Sequence, residues 1–304
     1  MRFLLLATLL LFPLRAVAQE PFDLAVRGYS TTCGIQGVGE EPTLEFVPVP
    51  AEEDIPNNIN AIAGAKGGRV IGVTVDGAII EARPDLTTEV IFPRQRRSEG
   101  ATALLTDRAG NVYVLVNRDR LQVISAAGED VAEYPVDAAS MDLATDQCTM
   151  FLSGAGVVRR FNVCTGTPEA DFTSGVGYTQ LKILPDGGLL VGGSTLRRYD
   201  RGGALVRTYP VSSTTYALAL GRDGSTALVS YYCGLGVDEI DLATGELLRR
   251  VPLQFSDVVT SIVAYRGWTA ALGPLVSEDI PSLSTMMLVA LTVLIAAVAF
   301  RRIG

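Results

Sequence analysis

Any chemistry in this sequence falls to carboxylates, cysteines, arginines and hydroxyls, because its 304 residues include no histidine. A Ser-His-Asp triad, a Cys-His pair, His-ligated zinc and an imidazole general base are excluded on that ground. Asp76, Asp107, Asn111, Asp146, Asp186, Asp223 and Asp238 offer oxygen ligands for a divalent cation. Most of them stand at a recurring turn, where an Asp side chain caps the bend by accepting from backbone amides, and that role outweighs metal binding at each. Three arginine pairs, Arg159-Arg160, Arg197-Arg198 and Arg249-Arg250, invite an anion. Adjacent strand residues point to opposite faces, however, so no pair presents both charges to one ligand. Asp238-Glu239 stands at the equivalent place in a later repeat, which predicts ion pairs between neighbouring repeats or solvated edges. Arg94-Gln95-Arg96-Arg97 follows Pro93 and reads as a solvated loop, and Ser194 in Gly192-Gly193-Ser194 has no base to activate it. Tyr231-Tyr232-Cys233-Gly234-Leu235-Gly236 departs from the repeat; its rings either line a rim and take a glycan or peptide, or pack around a disulfide. No catalytic and no cofactor-binding residue is predicted.

The elements that carry these residues recur about every 40 residues: strand, tight turn, strand, short gap, strand. The turns are Gly67-Gly68, Ala109-Gly110, Asp146-Gln147, Asp186-Gly187, Asp223-Gly224 and Arg266-Gly267. Third strands repeat in phase, with Ile124, Phe161, Tyr199 and Ile240 at matching places. Asp-Gly and Gly-Gly supply the positive φ that such hairpins need. Runs such as Val112-Tyr113-Val114-Leu115 suit strands packed on both faces, and no stretch of residues 20–279 keeps helical periodicity over three turns. A two-sheet sandwich does not explain a fixed period. The fold class is all-β, a β-propeller with six blades predicted from six turns. The last unit is short, so Leu24 to Tyr29 and Leu44 to Val47 are the candidates to close the ring.

Both ends differ from the body. Residues 1–18 read as a signal peptide: Arg2, an apolar run from Phe3 to Leu14, and Ala16-Val17-Ala18 before Gln19. Residues 19–279 form the ectodomain, ending in a short linker of about residues 273–279. From Leu283 to Phe300 the chain is nearly all apolar, long enough for a helix across a hydrocarbon core of roughly 30 Å, with Arg301-Arg302 left on the cytoplasmic side. Ile280-Pro281-Ser282-Leu283-Ser284, an apolar helix and Arg301-Arg302 together resemble the IPTL-CTERM sorting signal of Gram-negative bacteria. The family pattern has Thr where Ser282 stands and Trp where Met286 stands. The resemblance implies a membrane-embedded exosortase-type partner that processes the tail and sorts the protein to the surface; a plain tail anchor is the alternative. Removing both ends takes away four basic residues and no acidic one, so the formal charge moves from −8 to −12. Such a body repels polyanions, and nucleic acid is excluded as a general partner.

Export places Cys33, Cys148, Cys164 and Cys233 in an oxidising compartment. With a hairpin centred on Gly156, Phe151 faces Phe161 and Cys148 faces Cys164, so these two cysteines are expected to pair. Cys33 and Cys233 are the remaining pair. The segments ATDQCTMFLSG, VVRRFNVCTGTPEADF and LKILPDGGLLVGGSTLRRYDRGGALVRTY resemble exported bacterial propellers of the NHL and lactonase-like repeat groups, over roughly residues 100–253. That resemblance implies architecture more than activity, since propellers host binders, lyases and lactonases alike. The expected function is therefore an exported, membrane-anchored or surface-sorted binding module with a protein or glycan ligand. Two other classes compete: a metal-dependent hydrolase of the lactonase-like type, which would hold a divalent cation, and a structural component of the cell-surface matrix.

Overall fold

The computed structural model describes residues 24–30, 42–47, 59–65, 69–74, 77–82, 88–92, 98, 100–154, 156–176, 180–221, 223–232, 236–252, 257–264 and 268–274. The signal peptide, the residues from Ile280 to Arg302, and Cys33 and Cys233 lie outside them.

The described residues contain strands and no α-helix, arranged as a propeller. In chain order, β1 (Leu24–Ser30) and β2 (Pro42–Val47) come first. Blade 1 follows as β3 (Ile59–Ala65), β4 (Arg69–Thr74), β5 (Ile79–Ala82) and β6 (Thr88–Phe92). Blade 2 is β7 (Ala101–Thr106), β8 (Val112–Val116), β9 (Arg120–Ile124) and β10 (Asp130–Pro135). Blade 3 is β11 (Ser140–Leu143), β12 (Thr149–Gly154) and β13 (Val157–Asn162), with an outer edge split into β14 (Thr167–Pro168) and β15 (Thr173–Ser174). Blade 4 is β16 (Gln180–Ile183), β17 (Leu189–Gly192), β18 (Leu196–Tyr199) and β19 (Leu205–Tyr209). Blade 5 is β20 (Thr215–Leu220), β21 (Thr226–Tyr231), β22 (Gly236–Asp241) and β23 (Leu247–Pro252). The chain continues as β24 (Asp257–Ala264), β25 (Trp268–Thr269) and β26 (Gly273–Pro274).

Each blade is an antiparallel meander whose first strand lies innermost. These inner strands neighbour one another in the order β3, β7, β11, β16, β20 and then β24, which returns to β3. The position of a strand in its blade decides its sequence. Middle strands are covered on both faces by adjoining blades, so β8 is buried at every residue and is made of Val, Tyr and Leu. Outer strands meet water, and β10 alternates between exposed and half-buried residues. The phased residues Ile124, Phe161, Tyr199 and Ile240 are all buried, each contributing about 2 kcal/mol by leaving water.

The described residues form five complete blades, not the six that the turn count predicts. Gly67-Gly68 lie outside the described residues; the turns at Ala109-Gly110, Asp146-Gln147, Asp186-Gly187 and Asp223-Gly224 join first strands to second strands as expected. The unit around Arg266-Gly267 does not: β24 pairs with β1, and Trp268-Thr269 pair with Gly273-Pro274 instead. The ring is closed by a three-stranded sheet in the order β2-β1-β24, so both ends of the body meet there, where Leu24 and Val47 were expected. The physical reason is that hydrogen bonds along β24 are satisfied from the far end of the chain, a pairing that a local period does not report.

Candidate functional site

Because inner strands all run the same way, the propeller has two distinct faces. The upper face carries the starts of the inner strands and the turns between second and third strands; the lower face carries the other turns. Tyr216 and Tyr232 come together on the upper rim of blade 5, with ring centroids 5.8 Å apart and planes at 42°. They are 37% and 53% exposed, unlike most of the large rings. Tyr216 is the extra residue of a β-bulge, since Thr215 pairs with Tyr231 and Ala217 with Ser230. A bulge of this kind re-aims one side chain out of the strand's alternation. Thr215, beside it, buries its Oγ1 without a hydrogen-bond partner among the described residues.

The predicted pair Tyr231-Tyr232 is thereby divided. Tyr232 belongs to the rim, whereas Tyr231 is 5% exposed and sits in the core of blades 4 and 5. Burial, then the adjoining Asp238 carboxylate, push its phenol up to about 12. Tyr216 was missed because it lies at the start of a strand. The hairpin turning at Asp223-Gly224 puts residues 215–216 beside 231–232, which is the signal that could have found it.

The candidate oxygen ligands are occupied by local structure. Asp107 accepts from the Asn111 amide at 2.9 Å, the Asn111 side chain at 2.8 Å and the Tyr113 hydroxyl. Asp146 accepts from the amides of Cys148 and Thr149 and from the Thr149 hydroxyl; against the upward push of partial burial, these bonds hold its carboxyl below the usual range. Asp223 accepts from Ser225, and Asp186 from Gly188 and, at 2.6 Å, from Arg198. Asp238 is buried and takes two bonds from Arg250, at 2.6 and 2.9 Å. Asp76 lies outside the described residues. No three of these acid or cysteine side chains gather as a metal cluster among the described residues.

The arginine pairs need one correction. Arg249 and Arg250 on β23 bind Glu239 and Asp238 on β22, at 2.6 Å each, so the ion pairs run between strands of one blade and not between neighbouring blades. Antiparallel register sets Arg249 directly opposite Glu239 and Arg250 opposite Asp238, which gives shorter reach than the next blade. Arg160 donates to the Ala170 carbonyl and Arg197 to the Gly175 carbonyl. Between blades 2 and 3, Tyr134, Val136, Leu152, Phe161 and Pro168 line an open groove of about 520 Å³ with Arg159 at its margin. Tyr134 crosses it, its ring 5.1 Å from Phe161 and its hydroxyl donating to the Val163 carbonyl.

On the lower face, Cys148 and Cys164 form a disulfide with Cα atoms 5.2 Å apart. The register behind that expectation is off by one: Met150, not Phe151, faces Phe161, and Phe151 faces Arg160. The bridge joins positions just past the paired ends, where Val163 donates to the Cys148 carbonyl. The neighbouring Gln147 has φ of 63° at the place where Gly110, Gly187 and Gly224 stand in other blades. Its side chain explains the exception. Oε1 accepts from the Arg108 amide at 2.9 Å, and Nε2 donates to the Ala271 carbonyl at 2.9 Å. Ala271 is buried with Leu105 and Leu143, and Ala270 with Ile183. These partners are the lower ends of β7, β11 and β16, so the β25–β26 hairpin lies across the lower mouth of the axial channel.

No protein-family profile matches the sequence, and no curated protein is significantly similar to it. Solved structures do match. A chain in a crystal structure of a nidogen/laminin complex aligns with a TM-score of 0.61 and 11% identity, over 79% of this chain and 98% of that one. A protein of unknown function from Bacteroides caccae aligns with a TM-score of 0.57 and 12% identity, over 81% and 99%. At these identities the likeness is one of fold.

Proposed function

We propose that this chain is an exported β-propeller acting as a binding module, whose ligand, a protein or a glycan, is held on the upper rim at Tyr216 and Tyr232. The carrying observation is the exposed tyrosine pair, 5.8 Å apart and turned outward by a bulge. Two flat rings with polar tips suit a sugar ring or an extended peptide, and a rigid ring of blades holds them at little entropic cost. The solved nidogen/laminin assembly lends weight to a protein partner, as a propeller-like chain found in a complex. The disulfide agrees with an oxidising compartment, and the residues from Ile280 to Arg302 supply membrane attachment or processing by an exosortase-type enzyme. The metal-dependent hydrolase is the weaker reading, since its candidate carboxylates among the described residues already cap turns or pair with arginine.

The test is binding of the full chain to soluble chito-, cello- and manno-oligosaccharides and to a random-peptide display library, with and without Tyr216→Ala and Tyr232→Ala. At least tenfold weaker binding in both variants, with unchanged thermal unfolding, supports the rim site. Binding that neither variant weakens, or the absence of any ligand in either panel, overturns it.

A further inference from the structure

Three of the four bulges on the outer strands share one feature. In β10, β19 and β23 the extra residue is Val131, Val206 or Leu248, inserted between Asp130 and Ala132, Leu205 and Arg207, or Leu247 and Arg249, whose partners on the third strand are consecutive. All three are more than half exposed, at 62%, 58% and 52%, and Leu205 and Leu247 beside them are each 55% exposed. Each bulge lies opposite the end of the third strand, next to Ile124, Tyr199 or Ile240. That is the lower end of the blade. Aliphatic side chains therefore fringe the lower rim of blades 2, 4 and 5. Blade 1 differs: its outer-strand bulge, at Ile91 beside exposed Val90, lies opposite the start of β5 and so at the upper end. Five of the seven exposed large aliphatics among the described residues thus gather at the lower end, and such a cluster marks a surface that meets something apolar.

The chain outside the described residues indicates what that is. Its last described strand, β26, lies at the lower mouth, where Gln147 holds the hairpin through Ala271. Only eight residues separate Pro274 from Leu283, where the apolar run begins, and that stretch spans at most about 30 Å when fully extended. To put the upper rim against a bilayer, the tether would have to cross a blade and then climb it. Four strands at about 4.8 Å spacing are about 14 Å wide, and a six-residue strand is about 20 Å tall. The path exceeds the tether before the lipid is reached.

We infer that the lower face is a membrane-facing surface: the fringe of Val131, Leu205, Val206, Leu247 and Leu248 meets the lipid interface, and the tyrosine rim is turned away from it. This rests on the reading that the apolar tail anchors the chain. Attachment is apolar and tethered, since the acidic body gains nothing from anionic headgroups. The bulges also keep these outer edges from pairing with another sheet, so the same feature leaves the aliphatics free for lipid.

The experiment uses the full chain, disulfides intact, in phosphatidylcholine vesicles with nitroxide-labelled headgroups. A bimane is attached at Val206→Cys or Leu248→Cys on the lower rim, and at Ser194→Cys or Ser213→Cys on the upper face of the same two blades. Quenching at the lower pair at least threefold above that at the upper pair is the expected result. Equal or reversed quenching in protein that floats with the vesicles overturns the orientation alone. Failure of the unlabelled chain to float overturns the anchor, and the orientation with it. The two positions at each end guard against one variant that fails to fold.

Discussion

Blades 3 and 4 follow the same strand plan and tie their two lower turns together by different chemistry. In blade 3 the Cys148–Cys164 disulfide spans them. In blade 4 the Arg201 guanidinium spans them, donating to the Asp186 carbonyl at 2.7 Å, while Arg198 takes the Asp186 carboxylate at 2.6 Å. Blade 4 keeps Gly187 at its tight turn, with φ of 81°, where blade 3 pays strain for Gln147. The repeat thus fixes where strands and turns fall. The residues at the turns are then free to do blade-specific work, and blade 3 uses them to hold the hairpin.

The sharpest way to test that comparison is at the last residue of each second strand. A Cβ at Gly154 would lie 2.2 Å from the backbone oxygen of Asp137, whereas one at Gly192 would meet the Thr215 methyl at 2.6 Å. Backbone cannot give way as a side chain can, so Gly154→Ala should cost about 4 kcal/mol and Gly192→Ala about 1 kcal/mol, read as urea midpoints. Similar costs would mean that the two blades are equally tolerant at this place.

Next in size are the two lower ties. Replacing both Cys148 and Cys164 by Ala should cost about 3 kcal/mol, because a covalent link restricts the unfolded chain as a hydrogen bond does not. Arg201→Ala should cost about 1 kcal/mol or less, its bonds being exposed. Thermal unfolding of both variants decides, and a larger loss from Arg201→Ala would break the comparison.

The smallest effect is in pH. Partial burial raises the Asp186 carboxyl, but the Gly188 amide and Arg198 outweigh it and hold the group below its ordinary 3.8. Its contribution is present above the unfolded value and lost as pH falls through the lower folded value. Asp142 in blade 3 is opposite in sign: burial raises it, opposed by Lys182 and by the Ile183 and Leu143 amides, so the native state binds the extra proton and gains stability as pH falls. Asp186→Asn should therefore lose no more than about 0.5 kcal/mol at neutral pH, and the difference from wild type should vanish in strong acid. Urea midpoints across the acid range measure this, and a difference that grows on acidification would refute it.

The period and the turn residues made five blades legible, because Ala109-Gly110, Asp186-Gly187 and Asp223-Gly224 each impose a hairpin through local backbone geometry. Arg266-Gly267 looks the same in sequence, yet β24 answers to β1, more than two hundred residues away. The disulfide was legible despite a register error of one residue, since the paired cysteines stand beyond the ladder and tolerate the slip. The rim was half legible: Tyr232 stood out by composition and the Asp223-Gly224 hairpin sets Tyr216 beside it, but the outward turn of Tyr216 depends on a bulge, which leaves no mark in a residue pattern. Gln147 gave no sign, because only the folded ring brings Ala271 within reach.

The β2-β1-β24 sheet also sets a timetable. β1 is made before the five blades and β24 after them, so one edge of β1 has no partner until all five have been delivered. Pairings of such long span are slow to form, and an unfilled strand edge invites association with other chains. The ring is therefore a clasp that fastens last. The exposed edge lasts until the final strand arrives, and any truncation short of Ala264 would leave the clasp open.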